Sequence, residues 1–90
     1  MEWEVKVKLA RYLNKGESDK ACELVLNNDM DLQAWDMFLT GMDLIDYEAY
    51  KPLLPKIEDA KVMISQNLGL SEILRMNMLI VKLEDERKEK

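Results

Sequence analysis

Between Asp31 and Ile45 one row of apolar residues stands at Leu32, Trp35, Phe38, Leu39, Met42 and Ile45. This is the i, i+3, i+4, i+7 spacing of one helical face, and a chain that carries it must lay other structure against that face. Asp31 precedes the pattern, where its carboxylate can accept from a free backbone N–H. Met30 and Trp35 hold the two positions of a hydrophobic staple. The spacing predicts a helix over 31–45 that supplies much of the core.

The flanking segments carry weaker forms of the same signal. Val5, Leu9, Tyr12 and Leu13 fit one face of a helix over 3–14, which Gly16 would close in a left-handed conformation. The same stretch also alternates Trp3, Val5, Val7 and Leu9 with charged residues, a strand period. The alternative is therefore an α+β fold, with 2–9 a strand pairing with 74–82 or across a dimer. Ser18 is placed to cap a helix over 19–28, with Ala21, Cys22, Leu24, Val25 and Leu26 on its apolar side. Asp46 precedes one short turn over 47–50, and Pro52 and Pro55 bracket Leu53-Leu54 as an extended connector. Pro55 suits the first position of a helix over 55–68, with Ile57, Ala60, Ile64 and Leu68 as its core stripe. Gly69 suits a left-handed cap after it, and Ser71 would cap a last helix over 72–88. Apolar residues cover roughly 260° of that last helix, more than a surface helix needs. Glu84–Lys88 and Glu86–Lys90 are i, i+4 pairs suited to a solvated helical end. The expected fold is all-α, a compact bundle of four to five helices forming one domain over 1–90, with 31–45 and 72–88 at its centre.

Composition removes whole classes of function. There is no histidine, so His-dependent triads, Cys–His dyads and imidazole zinc ligands are excluded. Cys22 is the only cysteine, which leaves no internal disulfide framework and points to a cytoplasmic setting. The run Met78-Leu79-Ile80-Val81 falls far short of the ~20 apolar residues of a membrane span, and Met1-Glu2-Trp3-Glu4 has no apolar h-region of a signal peptide. Neither membrane association nor a cofactor is expected. A net charge of −5 weighs against direct nucleic-acid binding, which needs clustered Lys and Arg.

That charge is unevenly placed. Residues 16–50 hold nine acids and one base, while 1–15 and 51–90 are each slightly positive. Asp36 and Asp43 lie seven apart on the 31–45 helix, with Asp29, Asp31, Asp46 and Glu48 at or beyond its ends. These six residues form the candidate docking patch for a protein partner with a basic surface. A second stripe on the same helix, Ala34, Met37, Gly41 and Leu44, has small residues that admit another helix closely, within the chain or from a second copy. Met37, Gly41 and Leu44, with Met63, Met76 and Met78, are the candidate self-association or docking positions of a homo-oligomer, most simply a dimer.

The other candidates are weaker. Asn27, Asp29 and Asp31 match the opening of an EF-hand loop, but Leu32 stands where its glycine is needed and Phe38 where its bidentate glutamate is needed. Tyr12, Gly16 and Ala21 resemble the spacing of a single tetratricopeptide hairpin, from which Val5, Lys8 and Asn28 depart, and no function is carried over. Cys22 lies on an apolar face, as a buried inert thiol would. The expected function is a small, acidic, non-catalytic interaction module: an adaptor, assembly subunit or regulator. One alternative is an inhibitor or nucleic-acid mimic of the phage and mobile-element type, which the composition resembles. The least supported is a divalent-metal enzyme built on Asp43, Asp46 and Glu48, with no basic phosphate clamp grouped beside them.

Overall fold

Backbone hydrogen bonding closes into helix over most of the stretches with an apolar period of 3.6, the N-terminus included. In the computed structural model the order is α1 (Trp3–Asn14), α2 (Ser18–Asn27), α3 (Leu32–Gly41), the single turn α4 (Tyr47–Tyr50), a 3-10 turn (Lys51–Leu53), α5 (Leu54–Asn67) and α6 (Leu70–Lys88). The structure describes the backbone of residues 1–88 and the side chains of residues 1–85, so the Glu84–Lys88 and Glu86–Lys90 pairs lie outside the described side chains. No strand forms among the described residues, and the fold is all-α. The strand alternative for 2–9 is overturned, because Trp3–Asn14 is helical throughout.

Every helix contributes to one buried cluster: Leu9 from α1, Cys22 and Val25 from α2, Trp35, Phe38 and Leu39 from α3, Tyr50 from α4, Ile57 and Ile64 from α5, and Met76, Leu79, Ile80 and Leu83 from α6. A Cα radius of gyration of 12.2 Å matches the roughly 12 Å of a globular chain this long. Three aromatic rings stack edge to face through the middle. Trp35 and Phe38 centroids lie 6.1 Å apart, and Phe38 and Tyr50 lie 5.6 Å apart. The buried Tyr50 hydroxyl accepts from the Asp43 backbone N–H at 3.2 Å and donates to Ser18 Oγ at 3.2 Å. Burial, more than those bonds opposes it, pushes the phenol up from its ordinary value.

Local signals decided most helix ends, and tertiary contacts overruled the rest. Asp31 caps α3 as expected, its carboxylate accepting from Ala34 N–H at 2.8 Å. Gly16 has φ +71°, the left-handed turn the sequence asks for. But α3 stops at Gly41 rather than 45, and Met42 turns extended with ψ 151°. Asp43 then folds its carboxylate onto Ile45 N–H at 3.0 Å, so a side chain competes with the helix for the backbone. Ile45, expected in the core stripe, is consequently exposed. Ser18 is the first residue of α2 and no cap, because its hydroxyl receives Tyr50. Leu53-Leu54 is helical rather than extended, although Pro55 disfavours α geometry at Leu54 before it. Both leucines are buried, worth roughly 1.5–3 kcal/mol apiece, and that outweighs the proline bias. Gly69 has no positive φ. Its carbonyl accepts Ile73 N–H at 3.1 Å and opens α6, so the helix begins ahead of Ser71.

Tyr50→Phe keeps the ring and removes both hydroxyl bonds, stranding the Asp43 N–H and the Ser18 hydroxyl. The expected loss is about 1–2 kcal/mol, read as a lower urea midpoint at unchanged m-value. An unchanged midpoint would show that the hydroxyl does not hold the junction.

Candidate functional site

The six candidate docking carboxylates do not share one face. Asp31 stays exposed but is paired: its Oδ2 meets the buried Lys6 Nζ at 2.9 Å and lies 3.9 Å from the N-terminal ammonium. Lys6, buried on α1, also donates to Gln33 Oε1 at 2.7 Å. The Lys6 hydrogen bond, then the Ala34 N–H bond, hold the Asp31 carboxyl below its usual range. Asp29 is exposed beside Met1, Glu2 and Val5 at that same end of the molecule. Asp36 lies along the shallow hollow between α1 and α3, with Ala10, Leu13, Met37 and Gly41. Asp43, Asp46 and Glu48 sit around the turn into α4, where Glu48 pairs with Lys51 at 2.9 Å. The expectation that Asp36 and Asp43 project together assumed a helix through 45, and the end of α3 at Gly41 removes that basis.

The candidate docking positions also separate. Met76 is fully buried and belongs to the core, and Met63 on α5 is half-buried against it. Met37 and Gly41 face α1. A Cβ at Gly41 would stand 3.1 Å from Leu13 Cδ1, so the helix that the small residue admits is the chain's own α1. Leu44 and Met78 are brought together.

They meet in an apolar groove of about 370 Å³ between the turn after α3 and the outer side of α6. Leu44 and Tyr47 form one wall, and Leu74, Asn77, Met78 and Val81 the other. The groove arises because α6 is apolar on two sides. Met76, Leu79, Ile80 and Leu83 are buried, while Leu70, Leu74, Met78 and Val81 are 73%, 52%, 55% and 55% exposed. Those four recur at i, i+4, i+8 and i+11, a continuous row along one helical face. Ile45, on the same turn as Leu44, adds a fifth exposed apolar side chain. Lys82 lies 5.2 Å from the Tyr47 ring centroid, and Asp85 closes the far end of the groove. The turn carrying Leu44 and Tyr47 also carries Asp43 and Asp46, and among the described residues neither these two nor Asp85 is held in an ion pair. The wheel of α6 announces surplus apolar surface in the sequence, but no sequence signal shows that Tyr47 and Leu44 stand opposite it.

Chemistry of other kinds finds little to work with. Among the described residues, no three His, Cys, Asp or Glu side chains converge as metal ligands. Burial, with Asp19 and Glu23 adding to it, pushes the Cys22 thiol up to about 11. No helix of the described residues is long and apolar enough to cross a membrane. Comparisons with protein-family models, with characterised proteins and with solved structures find no match to this chain.

The Asp31 carboxyl ionises more readily folded than unfolded. Its stabilising charge is therefore present above the unfolded carboxylate pKa and is lost as pH falls through the lower folded value. Asp31→Asn keeps the cap and removes that charge. The variant should unfold at lower urea than the parent at pH 7, with the gap closing as acidification passes below the ordinary carboxylate range. A gap of equal size across the whole acid titration would contradict this.

Proposed function

We propose that this chain is a non-catalytic protein–protein interaction module that takes a protein partner into the groove between the 44–47 turn and α6. One observation carries the reading: the row Leu70, Leu74, Met78 and Val81 lies in water although α6 has already buried a complete second face. Full burial of such side chains is worth roughly 1.5–3 kcal/mol each, of which folding leaves more than half unrealised for a bound surface to recover. Methionine in the row suits an adaptable contact, because its unbranched thioether side chain repacks easily. The scarcity of activated groups supports the same reading. Cys22 is buried with a raised thiol pKa, the Ser18 hydroxyl is engaged by Tyr50, and there is no histidine to serve as base. A nucleic-acid mimic draws no support from carboxylates that are split among three regions and partly neutralised by Lys6 and Lys51.

The test places a photo-crosslinking p-benzoylphenylalanine at position 78, or as a control at position 62 on the outside of α5, in cells that naturally express the chain. Val62 is as exposed as Met78 but lies away from the groove. A discrete protein adduct at 78 and none at 62 is the expected result. Equal labelling at both positions, or none at 78, would refute the reading.

A further inference from the structure

We propose that the occupant of this groove is a single amphipathic α-helix that carries basic residues beside its apolar stripe. This rests on the docking reading above and adds the conformation and charge of the partner. The groove runs along α6 from Leu74 to Asp85, about 16 Å or three helical turns. The backbone of that wall is already committed to helix, so no sheet edge is offered for an added strand. Tyr47 is its only aromatic residue among the described residues, which is a poor match for a polyproline ligand that docks between several rings. A second helix laid along α6 can instead set residues at i, i+4 and i+7 against Leu74, Met78 and Val81.

Charge selects the kind of helix. Asp43 and Asp46 immediately precede the wall residues Leu44 and Tyr47 in the chain, Asp85 lines the end, and none of the three is in an ion pair among the described residues. Against them stands Lys82, drawn over the Tyr47 ring. Arg75, the other cation on this part of α6, donates to Met42 O at 3.1 Å and is occupied inside the fold. A basic flank on the incoming helix would meet these acids at the edge of an apolar contact, where it speeds encounter and disfavours acidic competitors. A second copy of this chain would bring the same three acids to the interface from both sides, at a net charge of −5 per copy.

The experiment uses two synthetic helical peptides of about four turns, one of leucine and lysine and one of leucine and glutamate, with leucines at the i, i+4, i+7 positions. Each is labelled and titrated with the whole chain by fluorescence anisotropy, and the chain is sedimented in parallel. The lysine peptide should bind at least about tenfold more tightly than the glutamate peptide, a ratio equivalent to ~1.4 kcal/mol. Its binding should weaken with added salt as screening shortens to about 10 Å near 0.1 M. Met78→Asp, at an exposed position and checked for an unchanged circular dichroism spectrum and urea midpoint, should remove most of it. Combined Asp43→Lys, Asp46→Lys and Asp85→Lys should reverse the preference between peptides. Equal binding of both peptides would overturn the basic assignment and leave the docking reading intact. Failure of both, with crosslinking at position 78 retained, would overturn the helical assignment alone. A dimer that Met78→Asp converts to monomer would make a second copy the occupant and overturn the proposal. Failure of both peptides without any crosslink at 78 would remove the docking reading with it.

Discussion

The position of every groove residue before α6 traces back to Tyr50. Its ring closes the Trp35–Phe38–Tyr50 edge-to-face row, and its hydroxyl joins Asp43 N–H to Ser18 Oγ. One side chain thus ties α4 to the start of α2 and to the chain leaving α3. A buried hydroxyl without partners would cost roughly 1–3 kcal/mol, so the three segments must meet where they do. The turn over 43–47 is held in that position, and with it Leu44 and Tyr47, opposite α6. The groove follows from a core constraint.

Charge segregation along the chain turns out to serve the fold in part. The positive flanks supply cations to groups in the acidic middle. Lys6 of α1 pairs with the Asp31 cap. Lys56 of α5 donates to Val25 O and to Asn28 O at 2.7 Å, at the C-terminal end of α2, which has no basic residue in its own last turn. Arg75 of α6 donates to Met42 O, just past α3, which likewise lacks one. Each satisfies a carbonyl or carboxylate that a helix end leaves available, and favours the negative end of the helix dipole in the two C-terminal cases. An acidic middle between basic flanks is therefore a pattern of long-range complementarity within one chain, and only the carboxylates left outside it remain for recognition.

Those remaining carboxylates gain meaning from what lies beside them. Asp43 and Asp46 belong to the same turn as Leu44 and Tyr47, which with α6 form an apolar surface, and docking there would give these two acids their role. Asp36, by contrast, borders only the shallow α1–α3 hollow, and Thr40 Oγ1 lies 3.5 Å from its carboxylate. Negative charge at an apolar groove discriminates between partners, whereas negative charge on a polar face mainly keeps the chain soluble.

Periodicity by itself fitted residues 2–9 to a strand as well as to the helix the structure forms there, but it determined the other main helices and that Trp35, Phe38, Leu39, Ile57 and Ile64 are core. Those features depend on neighbours within a few turns, and local spacing carries that information. It also determined that α6 has more apolar surface than one core needs. The place where α3 ends, the helical path through Pro52 and Pro55, the pairing of Asp31 with Lys6 and the separation of Met76 from Met78 were decided by tertiary structure. Each of these depends on a partner far away in sequence: Tyr50 and Arg75 for the end of α3, the buried cluster for Leu53 and Leu54, Lys6 for Asp31, and the packing side of α6 for the two methionines. Prolines apart, local propensities at those positions differ by about 1 kcal/mol or less, and burial or a satisfied polar group shifts the balance by a similar or larger amount.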